Sequence, residues 1–262
     1  MEPMQSYLES CRGLVDAVAR QRDSIERVAD RFARTIASGR MVHVFGSGHS
    51  RIMVEEMWPR YGSFPGFNPM VELSLSFHHP VVGSNGQRQA MYLENVPGLA
   101  DRILRNYDVS TADAALVVSS SGCNIVPIEM AEQFQRRGVF VTALVSLAHC
   151  QASESRRDDG RKLVDFADVV IDTGAPVGDS MVQITGLETP VAPGSTVGGC
   201  MAVNAIKAEV AGRLVASGHP PRVLTAAAVV GRRRAAEIFE SAYDEHGRRL
   251  AKLFATLGDN DD

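Results

Sequence analysis

Two short runs of small and hydroxylated residues, Gly46-Ser47-Gly48-His49-Ser50 and Ser119-Ser120-Ser121-Gly122-Cys123-Asn124, offer the plainest chemistry in this chain. Each follows an apolar segment that reads as a buried strand and precedes a stretch with helical spacing. Turns of this kind cradle an anion without a lysine: glycine lets the backbone approach closely, hydroxyls donate, and the next helix presents N–H groups at its positive end. The first turn makes Gly46, Ser47, Gly48 and Ser50 candidate ligand contacts, and the second adds Ser119, Ser120, Ser121, Gly122 and Asn124. Simpler readings stand beside these: a purely structural strand-to-helix connection, and a hydroxyl turn with Asn124 as helix cap. A dinucleotide-binding turn also competes, because Gly46-x-Gly48 follows a strand and Glu72 lies roughly 20 residues on, where a ribose-binding acid would stand. That fingerprint needs a third glycine at position 51, which is Arg.

A sheet must position such turns. Ala114 to Val118, Ile125 to Arg137 and Val139 to Val145 read as strand, helix and strand, a βαβ unit with parallel strands. Met41 to Phe45 and Val169 to Asp172 read as further strands, and strands alternating with helices predict an α/β sheet covered on both faces. Apolar residues at three- and four-residue steps predict helix from Gln5 to Ser38, broken near Ser24 and closed by Gly39. Helical pattern recurs from Arg51 to Arg60, Gly98 to Asn106, Val197 to Ala216 with Ser195 or Thr196 as N-cap, and Val223 to Leu257. Residues 62–98, rich in Gly, Pro, Asn and Ser, read as a long functional loop or lid, and SESRRDDGRK as a surface loop.

The chain of 262 residues carries 27 Lys and Arg against 31 Asp and Glu, net −4, so no global positive field gathers nucleic acid or anionic lipid. A phosphate ligand needs a local site. Cys11, Cys123, Cys150 and Cys200 form no C-x-x-C pair, and His78-His79 lacks a third ligand at metal spacing. Neither a metal nor a cofactor is therefore expected. The first ten residues lack the basic and apolar regions of a signal peptide, and no apolar run nears the roughly 20 residues of a membrane helix. These features predict a cytoplasmic protein with reduced thiols. Arg232, Arg233 and Arg234 spread around a helix and read as a solvated face or an oligomer contact.

The two turns, with Ser195-Thr196 opening a late helix, resemble the SIS (sugar isomerase) phosphosugar-binding domain. GSGHS followed by EE, NP, SSG-N-VPIEMA, VTALVSLAH, DVVIDTGAPVGD and PGST resembles more closely a bacterial family of stand-alone SIS proteins, from about Val42 to Ala211. The resemblance implies a flavodoxin-like three-layer α-β-α sandwich around a five-stranded parallel sheet. It implies one domain over residues 1–262, with a core near 40–216 and helical extensions at 5–38 and 223–257. It further implies a homodimer or homotetramer, and a sugar phosphate held by Ser119, Ser121, Gly122 and Asn124, joined by Ser195 and Thr196. Many SIS domains have Ser or Thr where this chain has Asn124.

Aldose-ketose isomerisation moves a proton between adjacent carbons, so a carboxylate or imidazole must reach an anchored sugar. Glu55 points away from the apolar helix face and pairs with Arg51 by spacing, whereas Glu56 stands at the apolar border beside Ile52. Partial burial there would raise the Glu56 pKa, which makes it the preferred base. His49, His149, His78 and His79 are further proton shuttles. Glu94 resembles a recurrent acid of the close family, although its loop setting predicts a solvated side chain. SIS etherases, whose helix start resembles Pro193-Gly-Ser-Thr196, and non-catalytic sugar-phosphate sensors remain as alternatives. Regulators of this kind usually carry a helix-turn-helix domain first, and a first strand near Met41 leaves little room for one.

Overall fold

The computed structural model describes residues 2–76 and 86–254; His78 and His79 lie outside the described residues. The mostly apolar runs form buried strands β1 (Val42–Gly46), β3 (Ala114–Val118) and β4 (Phe140–Val145). With β2 (Phe67–Met70) and β5 (Val169–Asp172) they make a five-stranded sheet of order β2-β1-β3-β4-β5, every neighbouring pair parallel. Side chains alternate between two layers, as a strand's period of two requires. Val42, Val44, Leu116, Val118, Leu144 and Ile171 pack with α2 (Arg22–Ala37), α3 (Arg51–Met57) and α9 (Ser195–Ala216). Phe45, Ala115, Val117, Val141, Ala143 and Val145 face α6 (Leu99–Leu104) and α7 (Ile125–Arg136). Among the described residues no helix is long and apolar enough to cross a membrane.

Four departures from the sequence reading have physical causes. The first helix breaks at Arg20-Gln21 rather than near Ser24, giving α1 (Pro3–Ala19) and α2. The Gln21 side chain accepts from Asp172 N at 2.7 Å and donates to Asp172 O at 2.8 Å, so a contact with the sheet edge sets the break. α2 does more than extend the core, because Val28 and Phe32 are wholly buried within it. The loop at 62–98 hides β2 and the short helices α4 (Leu73–Ser76) and α5 (Gln87–Leu93). Pro69 masks β2 in the sequence, and the strand tolerates it because β2 is an edge strand paired only with β1. α3 stops at Met57 instead of Arg60, since Trp58, ahead of Pro59, is extended.

Later elements include α8 (Leu147–Ala152), an antiparallel pair β6 (Ser180–Val182) and β7 (Val191–Pro193), α10 (Ala227–Val230) and α11 (Arg232–Phe254). Arg232, Arg233 and Arg234 are exposed, the last two paired with Glu237.

A polar network is sealed beneath the sheet. Arg40 donates two hydrogen bonds to Asp113, at 2.8 and 2.7 Å, and Ser110 N donates a third at 2.8 Å. His43 Nε2 lies 3.3 Å from Asp113 Oδ2, while His43 Nδ1 accepts from Asn68 Nδ2 at 3.0 Å. Burial alone would push the Asp113 carboxyl up, but the bonds from His43 and Arg40 outweigh it and hold the group well below the usual range. A depressed native pKa contributes stability above the unfolded value of about 3.9, and that stability is lost as pH falls through the native value. Asp113→Asn should lower the unfolding free energy by about 3 kcal/mol in urea melts at neutral pH, because it leaves buried partners uncompensated. An unchanged midpoint would mean that the network contributes nothing.

Candidate functional site

Gly46 and Val118 are direct neighbours at the ends of β1 and β3, so both hydroxyl turns leave the sheet side by side. The chain runs from β1 outward to β2 on one side and returns to β3 on the other, which makes this the switch point where open α/β sheets place ligands. Gly122, at φ +62°, shapes the second turn, and a Cβ there would press on Cys150 Sγ and a Val145 methyl, each at 3.3 Å. Ser119 Oγ accepts from Gly122 N and Ser121 Oγ from Cys123 N, each at 3.2 Å. Each hydroxyl proton thus remains available to a ligand.

Glu94 closes the space between the turns. It caps the C-terminus of α5, and its carbonyl accepts from Val126 N at 2.9 Å. Ser47 Oγ donates to its Oε2 and Asn124 Nδ2 to its Oε1, both at 2.8 Å. Burial pushes the Glu94 carboxyl up, against the lowering effect of those two bonds. The expected solvated side chain is therefore half-buried. Asn124 stands at the N-cap of α7 but its side chain makes no capping bond, being committed to Glu94.

Two cavities flank this point. One, of about 220 Å³, is lined by Ser47, Gly48, Glu94, the Ser119–Ser121 hydroxyl run, Asn124 and His149. The other, of about 280 Å³, is lined by Met53, Val118, Leu144, Asp179, Ser195 and Thr196 among others; His49, Ser50 and Ser120 border both. Ser120 Oγ is buried and has no hydrogen-bond partner among the described residues. His149 Nδ1 accepts from Gly178 N at 3.2 Å, which assigns the ring proton to Nε2 in the neutral form.

The model of the SIS domain matches residues 6–146. This chain belongs to the SIS domain family. It is 29% identical, over 97% of its length, to a UPF0309 protein of Listeria innocua that is covered completely. It is 36% identical, over 82% of its length, to a UPF0309 protein of Brucella canis, of which 84% is covered. Among solved structures it is similar to a phosphoheptose isomerase from Francisella tularensis, with TM-score 0.51, 14% identity, and coverage of 79% of this chain and 95% of that one. That likeness shows the fold.

This SIS protein does not bring every sequence candidate to the turns. Glu55 pairs with Arg51 at 3.2 Å on the surface, as its spacing predicts. Glu56 lines a separate groove of about 520 Å³ with Tyr61, Phe239 and Tyr243, which shares no lining residue with either cavity. Its carboxylate accepts from Asn204 at 2.8 Å and pairs with Arg60. Burial pushes Glu56 up, yet those partners outweigh it and its pKa is lowered, the reverse of the expected rise. An apolar neighbourhood was visible in the spacing, whereas Asn204, distant in sequence, was not.

Ser195 is the first residue of α9 rather than its cap, and Thr196 follows within the helix. The cap is supplied by Asp179, whose Oδ1 accepts from Gly194 N at 3.1 Å and Ser195 N at 2.6 Å, while Oδ2 accepts from Ser195 Oγ at 2.6 Å. Asp179 was missed because no local spacing links it to a helix start 16 residues on. The helix is held close by Gly198, where a Cβ would sit 2.0 Å from Thr173 O.

A raised native pKa means that ionised Glu94 weakens folding: stability falls as pH climbs from about 4.3 through the native value. Glu94→Gln should remove that fall, leaving the melting temperature at pH 7 equal to or above that of the parent. A large loss of melting temperature instead would make Glu94 a structural residue.

Proposed function

We propose that this protein binds a phosphorylated sugar at the paired turns and catalyses aldose-ketose isomerisation, with Glu94 moving the proton. The observation that carries the reading is the setting of Glu94: a half-buried carboxyl with raised pKa, fixed by one donor from each turn. The Ser119 and Ser121 hydroxyls and the start of α7 offer donors for the phosphate, and Gly122 lets the backbone come close. Among the described residues no lysine or arginine lines either cavity, so the phosphate is held by hydroxyl, amide and backbone N–H donors without either of those cations. A bound dianion then pushes the Glu94 pKa further up by like-charge repulsion, into the range useful to an acid-base group.

In this mechanism the phosphate anchors the sugar while Glu94 removes the proton from the carbon beside the carbonyl and returns it to the neighbouring carbon of the enediol. Asn124 serves by orienting Glu94, and His49 and His149, on the cavity walls, can move the hydroxyl proton. Glu55 and Glu56 take no part.

The test is deuterium exchange from water into a panel of pentose, hexose and heptose phosphates. Glu94→Gln should reduce exchange by about 10² or more with binding little changed, as general-base losses usually run. Glu56→Gln should leave exchange intact. The acid limb of the rate profile should lie above the ordinary glutamate value of about 4.3. Saturable binding without exchange in the parent would make the protein a sensor, and full exchange in Glu94→Gln would remove Glu94 from the mechanism.

The reading includes a homo-oligomer. Exposed Tyr61, Phe239 and Tyr243 line one groove, and Val229 and Val230 stand exposed on α10. Light scattering at micromolar concentration should report at least a dimer; a monomer would refute this part.

A further inference from the structure

Three arginines gather at the end of the sheet opposite the paired turns, where β3 and β4 begin. Arg27, Arg31 and Arg34, at steps of four and three residues, share one face of α2 and line a groove of about 460 Å³ with Thr111, Phe140 and Asp168 among others. Their charges are used unequally. Arg34 is paired with Asp30 at 2.7 Å. Arg31 is oriented by Nη2, which donates to Thr111 O and Asp113 O at 2.8 Å each, while its Nε is buried without a hydrogen-bond partner among the described residues. The Arg27 guanidinium lies over the Phe140 ring, 5.9 Å from its centroid, and meets no carboxylate among the described residues. Asp168 spends one oxygen on Val141 N at 2.7 Å. Two cations therefore face one unpaired acid.

α11 brings an anion to the same place. Leu253 O accepts from Asp108 N at 2.7 Å, and Phe254 packs on Tyr107 with ring centroids 5.7 Å apart. Thr111 is three residues beyond Asp108, hence at most about 11 Å from it. The chain continues past Phe254 as Ala255-Thr-Leu-Gly-Asp-Asn-Asp-Asp262, with three aspartates and no lysine or arginine. At full extension it reaches about 20 Å from Leu253 at Asp259 and about 30 Å at Asp262. Each aspartate can therefore span to Thr111, whose carbonyl already touches Arg31.

We propose that the arginine groove is the docking site of the acidic segment 258–262 of this same chain, its carboxylates on Arg27 and on the unused N–H groups of Arg31. A free phosphate or an acidic partner offers the same charge without the tether. A short tether gives an effective concentration on the order of millimolar, so ion pairs that contribute little singly suffice to close the contact. Docking ties α11, whose Tyr243 and His246 pack on Trp58, to α2 by a latch that salt opens.

The test is a cycle of melting temperatures on the full chain. Asp259→Asn, Asp261→Asn and Asp262→Asn together remove the acidic charges, and Arg27→Glu reverses their receptor; Arg31 is left alone because it bonds backbone carbonyls. At about 10 mM salt, where screening reaches about 30 Å, Arg27→Glu should lower the melting temperature of the parent by about 2 to 4 °C more than that of the triple variant. At about 1 M salt this excess should vanish. Pyrophosphate at matched ionic strength should stabilise the triple variant more than the parent, because the groove is then vacant, and Arg27→Glu should abolish the difference. Equal effects of Arg27→Glu in both backgrounds overturn the proposal. Equal, Arg27-dependent stabilisation of both proteins by pyrophosphate also overturns it, since the groove is then open to free anions in the parent.

Discussion

The parallel pairing of β1 with β3 is the constraint on which the rest depends. With Gly46 opposite Val118, two turns more than 70 residues apart in the chain emerge next to each other, and their hydroxyls and amides face one space. Neither turn alone encloses anything. The register is held by packing on both faces, because slipping one residue would turn Val44 and Leu116 out of one layer and Phe45 and Val117 into it. The close approach of α9 through Gly198 then closes the same space from the opposite side.

Two carboxylates at opposite ends of this sheet, one buried and one half-buried, show how the number and charge of donors decide chemistry. Asp113 receives a bidentate guanidinium and a backbone N–H, with His43 close by, and is held ionised. Glu94 receives two neutral donors, and desolvation wins. The first arrangement suits a structural clamp, since its charge is never released. The second suits proton transfer, since burial raises the pKa and no cation holds the charge. Glu56 falls with the first kind, because Arg60 and Asn204 hold its charge.

Asp179 adds a third use of a carboxylate, closing a helix N-terminus that would otherwise attract an anion. This sharpens the division between the two cavities: the Ser119 to Asn124 turn retains its free hydroxyl protons, whereas the end of α9 is already neutralised. Local sequence identified Ser195 and Thr196 as the helix start but assigned the cap to their own hydroxyls.

What the sequence by itself determined is local and periodic. Mostly apolar runs named β1, β3, β4 and β5, and glycine with serine after β1 and β3 named the turns. The Arg51-Glu55 pair followed from helical spacing alone. Tertiary structure decided everything that depends on partners distant in the chain. Gln21 breaks the first helix because it reaches Asp172, β2 accepts Pro69 because no strand lies beyond it, and Glu94 is desolvated because Ser47 and Asn124 converge on it. A carboxyl's pKa is set by the donors and the dielectric around it, and here the donors that local spacing could not show, Asn124 on Glu94 and Asn204 on Glu56, lie 30 and 148 residues away.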